Sequence, residues 1–239
     1  MTRRRWIADE SSENRAALTG EHARHLSQVL RAQIGQEFDI STGAEVRRGK
    51  VSSVHPDRVE FDLGDVVDRS SPTPLTVALS VFKFDRMEWA IEKCTELGAS
   101  SIIPVIAART ESHLAAAAEK RVERWQRITK QASEQSRRVA PPEISPPIKL
   151  KQLLTMPADL RLVLSETERN LMLMEVDPRD ATSALLAIGP EGGWEEQEVA
   201  AFQAAGWISA SLGTTILRAE TASIAAVAIT AMMLNSNNH

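Results

Sequence analysis

Three stretches of this chain carry residues whose types and spacing suit ligand chemistry. They are Ser165-Glu166-Thr167, Gly189-Pro190-Glu191-Gly192-Gly193-Trp194, and the run from Leu212 to Ala222, which reads LGTTILRAETA. Each follows an apolar, strand-like run: LRLVLS, ALLAI and ISASL. In open parallel sheets ligands bind beyond the carboxyl ends of the strands, so these three loops are where a site belongs. Their glycines let the main chain take positive φ and let a ligand approach backbone N–H and C=O groups closely. The Gly-rich loop is neither GxGxxG nor GxxxxGK[ST], which disfavours a phosphate cradle and a nicotinamide-dependent enzyme. Taken singly, GPEGG is equally a turn leading into a helix, and Arg218 with Glu220 and Thr221 equally a helix cap with a surface ion pair. Their joint placement at neighbouring strand ends favours a site.

Other chemistries find little support. There is no HExxH, no GxSxG and no dispersed His/Cys/Asp set with metal spacing, so no metal is expected. His22 and His25 lie three apart without a third ligand and read as surface histidines. The single cysteine, Cys94, excludes a disulfide framework and sits on an apolar helical stripe as a core residue.

The elements that must position these loops follow from periodicity. From Leu75 onward, strand-like runs (LTVALSVF, SIIPVI, LRLVLS, ALLAIG, ISASLG) alternate with helical patterns, which predicts an α/β fold with a mostly parallel sheet. A helix from Asp85 is signed by Asp85 as N-cap, Glu88 three residues on, the stripe Met87, Ala90, Ile91, Cys94 and Leu97, and Gly98 at its stop. The first 70 residues have another rhythm. A short helix at Glu21 to Leu30 precedes three strand-like runs, Glu37 to Ile40, Val46 to Val54 and Arg58 to Leu63, which suggest a small antiparallel barrel. The boundary falls near Pro72 and Pro74, dividing the chain into domains 1–71 and 72–239.

With 239 residues, 43% of them hydrophobic and 25% charged, the chain is long enough and apolar enough to bury a core. No apolar region follows Arg3, Arg4 and Arg5 as a secretory signal would require, so the cytoplasm is expected. The longest apolar run, Ala222 to Leu234, falls short of the roughly 20 residues that cross a bilayer, so no membrane role is expected. The net charge of -4 hides a basic segment from Glu119 to Arg138 that carries +4, and this and the N-terminal arginines are where a polyanion would dock.

Five spaced motifs together resemble one family. Asp85-Arg86-Met87-Glu88-Trp89 with Thr95-Glu96-Leu97-Gly98, Glu134-Gln135, GPEGGW with Glu198, and LGTTILRAETA are similar to the RsmE family. These are SPOUT-superfamily methyltransferases that methylate N3 of a uridine in 16S ribosomal RNA, and the resemblance covers nearly the whole chain. It implies a SPOUT α/β domain over 72–239 with a C-terminal deep trefoil knot, which general folding rules would not draw. It further implies a PUA-like, RNA-binding β-barrel over 1–71, S-adenosylmethionine as cofactor, a homodimer, and 16S rRNA in the assembled small subunit as partner. Carried over residue by residue, the cofactor pocket takes Leu164, Ser165 and Glu166, then Ile188, Gly189, Gly192 and Gly193, then Leu212, Gly213, Leu217, Arg218, Thr221 and Ala222. Arg218 is the candidate that stabilises the uracil anion, with Glu220 orienting it or handling the proton. Arg3, Arg4, Arg5, Lys83, Arg86, Arg137 and Arg138 are candidate phosphate contacts. Two positions depart from the family pattern: Glu195 stands where Ser or Thr is usual, and Thr215 where Arg is usual. The alternatives are methylation elsewhere, at a ribose hydroxyl or in tRNA, and a non-catalytic ribosome-binding module.

Overall fold

The four central strands of the larger sheet, Leu75–Ser80, Ser101–Ile106, Leu160–Leu164 and Ala184–Ile188, are short apolar runs largely buried on both faces, as parallel strands covered by helices must be. The computed structural model describes residues 5–69 and 73–236. The chain divides into two compact units, one of Met1–Ser71 with Lys130–Pro141, the other of Pro72–Thr129 with Pro142–His239.

The first unit is built from β1 (Arg5–Ile7), β2 (Glu10–Ser11), β3 (Arg15–Thr19), α1 (Gly20–Arg24), β4 (Glu37–Ser41), β5 (Val46–His55) and β6 (Arg58–Asp68). The strands form one sheet in the order β1-β4-β5-β6-β3-β2, antiparallel except where β1 runs parallel to β4. Val59, Phe61 and Leu63 alternate inward from β6 onto Trp6, Leu18, Leu26 and Ile40. β6 runs five residues past its predicted end because β5 stays paired with it, through register shifts, as far as Val46 and Asp68. The expected helix over Glu21 to Leu30 is only half regular. After Arg24 the chain turns as a π-helix over His25–Val29, with the Leu30 N–H donating to the His25 carbonyl. That wider turn carries Val29 and Leu30 off the stripe of Ala23 and Leu26 and leaves them exposed.

Gly49 of β5 marks the tightest point of this core. A Cβ there would stand 2.4 Å from Ile40 Cγ1 and 3.3 Å from Phe61 Cβ. Gly49→Ala is therefore expected to destabilise the protein by about 1–3 kcal/mol through overpacking. The measurement is the urea unfolding midpoint; an unchanged midpoint would contradict the packing described.

The second unit holds β7 (Leu75–Ser80), α2 (Phe84–Glu96), β8 (Ser101–Ile106) and α3 (Ser112–Ala118). α4 (Val122–Gln135), which from Lys130 belongs to the first unit, follows, then β9 (Glu143–Ile144), β10 (Ile148–Lys149), α5 (Leu150–Leu153), β11 (Leu160–Leu164) and β12 (Ala184–Ile188). The last elements are α6 (Glu196–Ala204), β13 (Ile208–Ala210) and α7 (Ala219–Ser236). The order β10-β8-β7-β12-β11-β13, with β9 beside β8, is parallel throughout, so the alternation read from the sequence yields the α/β parallel sheet it predicts. On one face Leu75, Val77, Leu162 and Leu186 pack with Met87, Ile91 and Cys94 of α2 and with Ala226, Val227 and Leu234 of α7. On the other face Val105, Val163 and Leu185 pack with Leu153, Phe202 and Trp207. Cys94 is fully buried and that burial pushes its thiol up to about 12, which keeps it inert at neutral pH.

The start of α2 differs from expectation. Lys83, not Asp85, occupies the N-cap, so no Asp85–Glu88 capping box forms. Asp85 sits in the first turn, where it favours the helix dipole, and Glu88 instead takes Arg124 of α4 at 2.6 and 2.7 Å. Gly98, at φ +103°, ends the helix as read from the sequence.

Candidate active site

The loops after β11, β12 and β13 meet because those strands are neighbours in the order β12-β11-β13. Between them lies a cleft open to solvent, lined by residues of all three loops. The first loop supplies Leu164, Ser165 and Glu166, the second Ile188, Gly189 and Gly193, and the third Leu212, Gly213, Leu217 and Ala222. These ten of the sequence-predicted residues come together on one concave surface.

Local chemistry explains why the loops hold this shape. The Trp194 indole N–H donates to the Leu164 carbonyl at 3.0 Å, and its ring packs edge-on against Phe202 with centroids 4.9 Å apart. Trp194 thereby ties the Gly-rich loop to the end of β11. A Cβ on Gly189 would meet the Trp194 ring at 3.2–3.4 Å, so glycine is what lets the indole close over this strand end. Gly193 adopts φ +71°, and a Cβ there would stand 2.9 Å from the Glu166 carboxylate. Its conformation therefore requires glycine, whereas the flexible Glu166 side chain can move aside. Glu198, buried in the first turn of α6, accepts the Ala108 N–H at 2.8 Å and the Glu195 N–H at 2.9 Å. Its two oxygens pin the loop after β8 to the end of the Gly-rich loop. Glu195 is the N-cap of α6, so the departure from Ser or Thr there leaves the helix start intact.

Three predicted pocket residues lie elsewhere. Gly192 does not line the cleft: its carbonyl accepts a hydrogen bond from Arg109, whose side chain packs at the position a Cβ would take. Thr221 is exposed on α7, between buried Glu220 and the lining residue Ala222. Arg218 is exposed, and its guanidinium has no partner among the described residues. It stands between Leu217 and Ala219, both lining residues. Glu220 does not orient Arg218. It is buried, its nearest cation is Arg86 at 3.9 Å, and its Oε2 has no hydrogen-bond partner.

Sequence reading missed Arg169, Pro190, Glu191, Trp194, Ala210, Ser211, Thr214, Thr215, Ile216 and Ala219, all of which line the cleft. Most of them flank predicted residues in the same three loops and were within reach of that signal; Arg169 follows its loop by two residues and carried none. Thr215, where the family pattern has Arg, is an exposed part of the lining.

The predicted phosphate contacts are scattered. Arg3 and Arg4 fall outside the described residues. Arg5 is buried, ion-paired to Asp68 at 3.1 Å and bonded to the Arg137 carbonyl, so it is a structural tie of the first unit and not a free cation. Arg86 is held at 2.5 Å by Glu191. Arg138 donates to the Ala140 carbonyl at 3.3 Å, and burial lowers its pKa. Lys83 and Arg137 are exposed, Arg137 at φ +59°. Among the described residues no group of three or more His, Cys, Asp or Glu side chains converges as a metal site would require, and no helix is long and apolar enough to cross a membrane.

A sequence model for the RNA methyltransferase domain matches residues 69–231. The ribosomal RNA small subunit methyltransferase E of Bacillus subtilis (strain 168) is 32% identical over 224 residues, covering 88% of this chain and 87% of that protein. The protein of the same name from Synechocystis is 32% identical over 231 residues, covering 94% of this chain and 75% of that one. A crystal structure of a ribosomal RNA small subunit methyltransferase E from Neisseria gonorrhoeae, bound to S-adenosyl methionine, aligns with a TM-score of 0.84 at 31% identity, covering 97% and 98% of the two chains. By its motifs, its parallel sheet, its three-loop cleft and these matches, this chain belongs to the ribosomal RNA small subunit methyltransferase E family of RNA methyltransferases.

Proposed function

We propose that this protein is an S-adenosylmethionine-dependent methyltransferase that methylates N3 of a uridine in 16S ribosomal RNA. The observation that carries the reading is the cleft itself, in which the loops of three neighbouring strands converge and which belongs to a chain of this family. The cofactor fits the residues present. Leu164, Ile188, Leu212 and Leu217 offer apolar walls for an adenine, and Gly213, with nothing within 4 Å of where a Cβ would stand, leaves its backbone open to approach. Bound there, S-adenosylmethionine supplies an electrophilic methyl group. Everything else falls to the chain. The loops fix the geometry of an in-line displacement, which in favourable cases contributes about 7–11 kcal/mol. The uridine N3 must lose its proton before it forms the new N–C bond, and the charge it leaves spreads to O2 and O4. Arg218, exposed and without a protein partner among the described residues, is our candidate to receive that charge.

The finer architecture belongs to the same reading. β13 pairs with β11 although β12 precedes it in sequence, and α7 returns to pack on α2 and β7; a deep trefoil knot accounts for that path. On this reading the first unit, with its six-stranded sheet, is a PUA-like barrel that grips RNA. α7 is apolar all round and leaves Met232 at 70% exposure, while Ile216 before it is 77% exposed; a homodimer would cover such surface. Assembled small subunits in the cytoplasm are the substrate, and the target base is unpaired or flipped, since pairing hides N3. The test is to incubate the protein with S-adenosylmethionine and small subunits that lack the modification, then digest the RNA for mass spectrometry. N3-methyluridine is expected; a methylated ribose or tRNA product instead would overturn the assignment.

A further inference from the structure

One guanidinium reaches both Glu191, which lines the cleft, and Glu220, which lies beside it. Arg86, in the first turn of α2, places Nη1 2.5 Å from Glu191 Oε1 and Nε 3.9 Å from Glu220 Oε1. Glu191 is part of the Gly-rich loop and lines the cleft. Glu220 lies in the first turn of α7 between Ala219 and Ala222, which line it as well. The Glu220 side chain is 7% exposed and its Oε2 receives no hydrogen bond. A carboxylate so removed from water needs a nearby counter-charge, and Arg86 is the cation paired with it.

We infer that Arg86 is a positioning residue that staples the Gly-rich loop to the start of α7 and so holds the cofactor cleft in shape, in place of a contact to RNA phosphate. The inference rests on reading the cleft as the cofactor site. Without Arg86 both carboxylates lose the cation they share, and one of them is buried. The Gly-rich loop and α7 then lose the charge that draws them together. A phosphate contact would instead leave cofactor binding untouched and reduce the salt dependence of RNA binding by about one ion.

The experiment uses the full chain and measures S-adenosylmethionine affinity by calorimetry and RNA binding as a function of salt. Arg86→Met is expected to weaken cofactor binding about tenfold, with the salt slope of RNA binding unchanged. Arg86→Lys, which keeps the charge, should recover most of that loss. Should Arg86→Met fail to fold, Glu191→Gln severs one arm alone and is expected to weaken cofactor binding by about threefold to fivefold. Gly193→Val tests the underlying reading separately, since it fills the cleft without touching Arg86. If Gly193→Val abolishes cofactor binding while the Arg86 and Glu191 variants bind within twofold of wild type, the cleft stands and the staple is overturned. If Gly193→Val binds normally, the cleft is not the cofactor site and the inference falls with it. A smaller salt slope in Arg86→Met with unchanged cofactor affinity returns Arg86 to the phosphate contacts.

Discussion

Arg218→Ala is expected to methylate RNA about 10²–10³ times more slowly than the wild type while binding S-adenosylmethionine within about twofold. The size follows from what a lost donor costs when charge develops on an oxygen in the transition state. The split follows from the geometry. Arg218 is exposed and does not line the cleft, whereas its neighbours Leu217 and Ala219 do. No partner among the described residues uses its guanidinium, so alanine should leave the fold intact. Single-turnover transfer from labelled cofactor, beside calorimetric affinity, separates the two effects. Equal losses in affinity and rate would place Arg218 on the cofactor, and full turnover would remove it from the mechanism.

The largest effect on stability is expected at Trp194. Truncation to alanine removes a side chain that is 8% exposed, its edge-on contact with Phe202 and its hydrogen bond to the Leu164 carbonyl. The expected loss is about 3–5 kcal/mol, from the cavity together with a carbonyl left short of a donor. Trp194→Phe keeps much of the packing and loses the donor, so it should cost about 1–3 kcal/mol. Urea unfolding midpoints give both values. Cofactor affinity should fall in the same order, since the indole ties the Gly-rich loop to the end of β11. A Trp194→Ala variant within 1 kcal/mol of wild type would contradict that account.

Much of the site was legible because its signals are local. Apolar runs followed by Gly-rich or polar loops give strand ends, and three such loops recur at 165, 189 and 212. The stripe of Met87, Ala90, Ile91 and Cys94 is a helical period that burial on one sheet face then enforces. What was not legible depends on partners distant in sequence. β1 and β2 have three residues and two, too few to display a period, and exist because β4 and β3 offer them ladders. Arg5 looks like one of a run of surface cations until Asp68 and the Arg137 carbonyl draw it inward. Gly192 and Gly193 are neighbours of one type, yet one faces Arg109 and the other Glu166, a distinction that only the turn between Pro190 and Gly193 makes. Glu220 and Arg218 are two apart near the start of one helix, too close along its turn to share a face, so the pairing suggested by their proximity in sequence does not form.

The most direct test of the cleft as the cofactor site is a crystal structure of this protein grown with S-adenosylmethionine. The account predicts cofactor density between Leu164, Ile188 and Leu212, against the backbone at Gly213, with its methyl group turned toward Arg218. Density seated elsewhere on the chain, with this cleft free of it, would contradict the account.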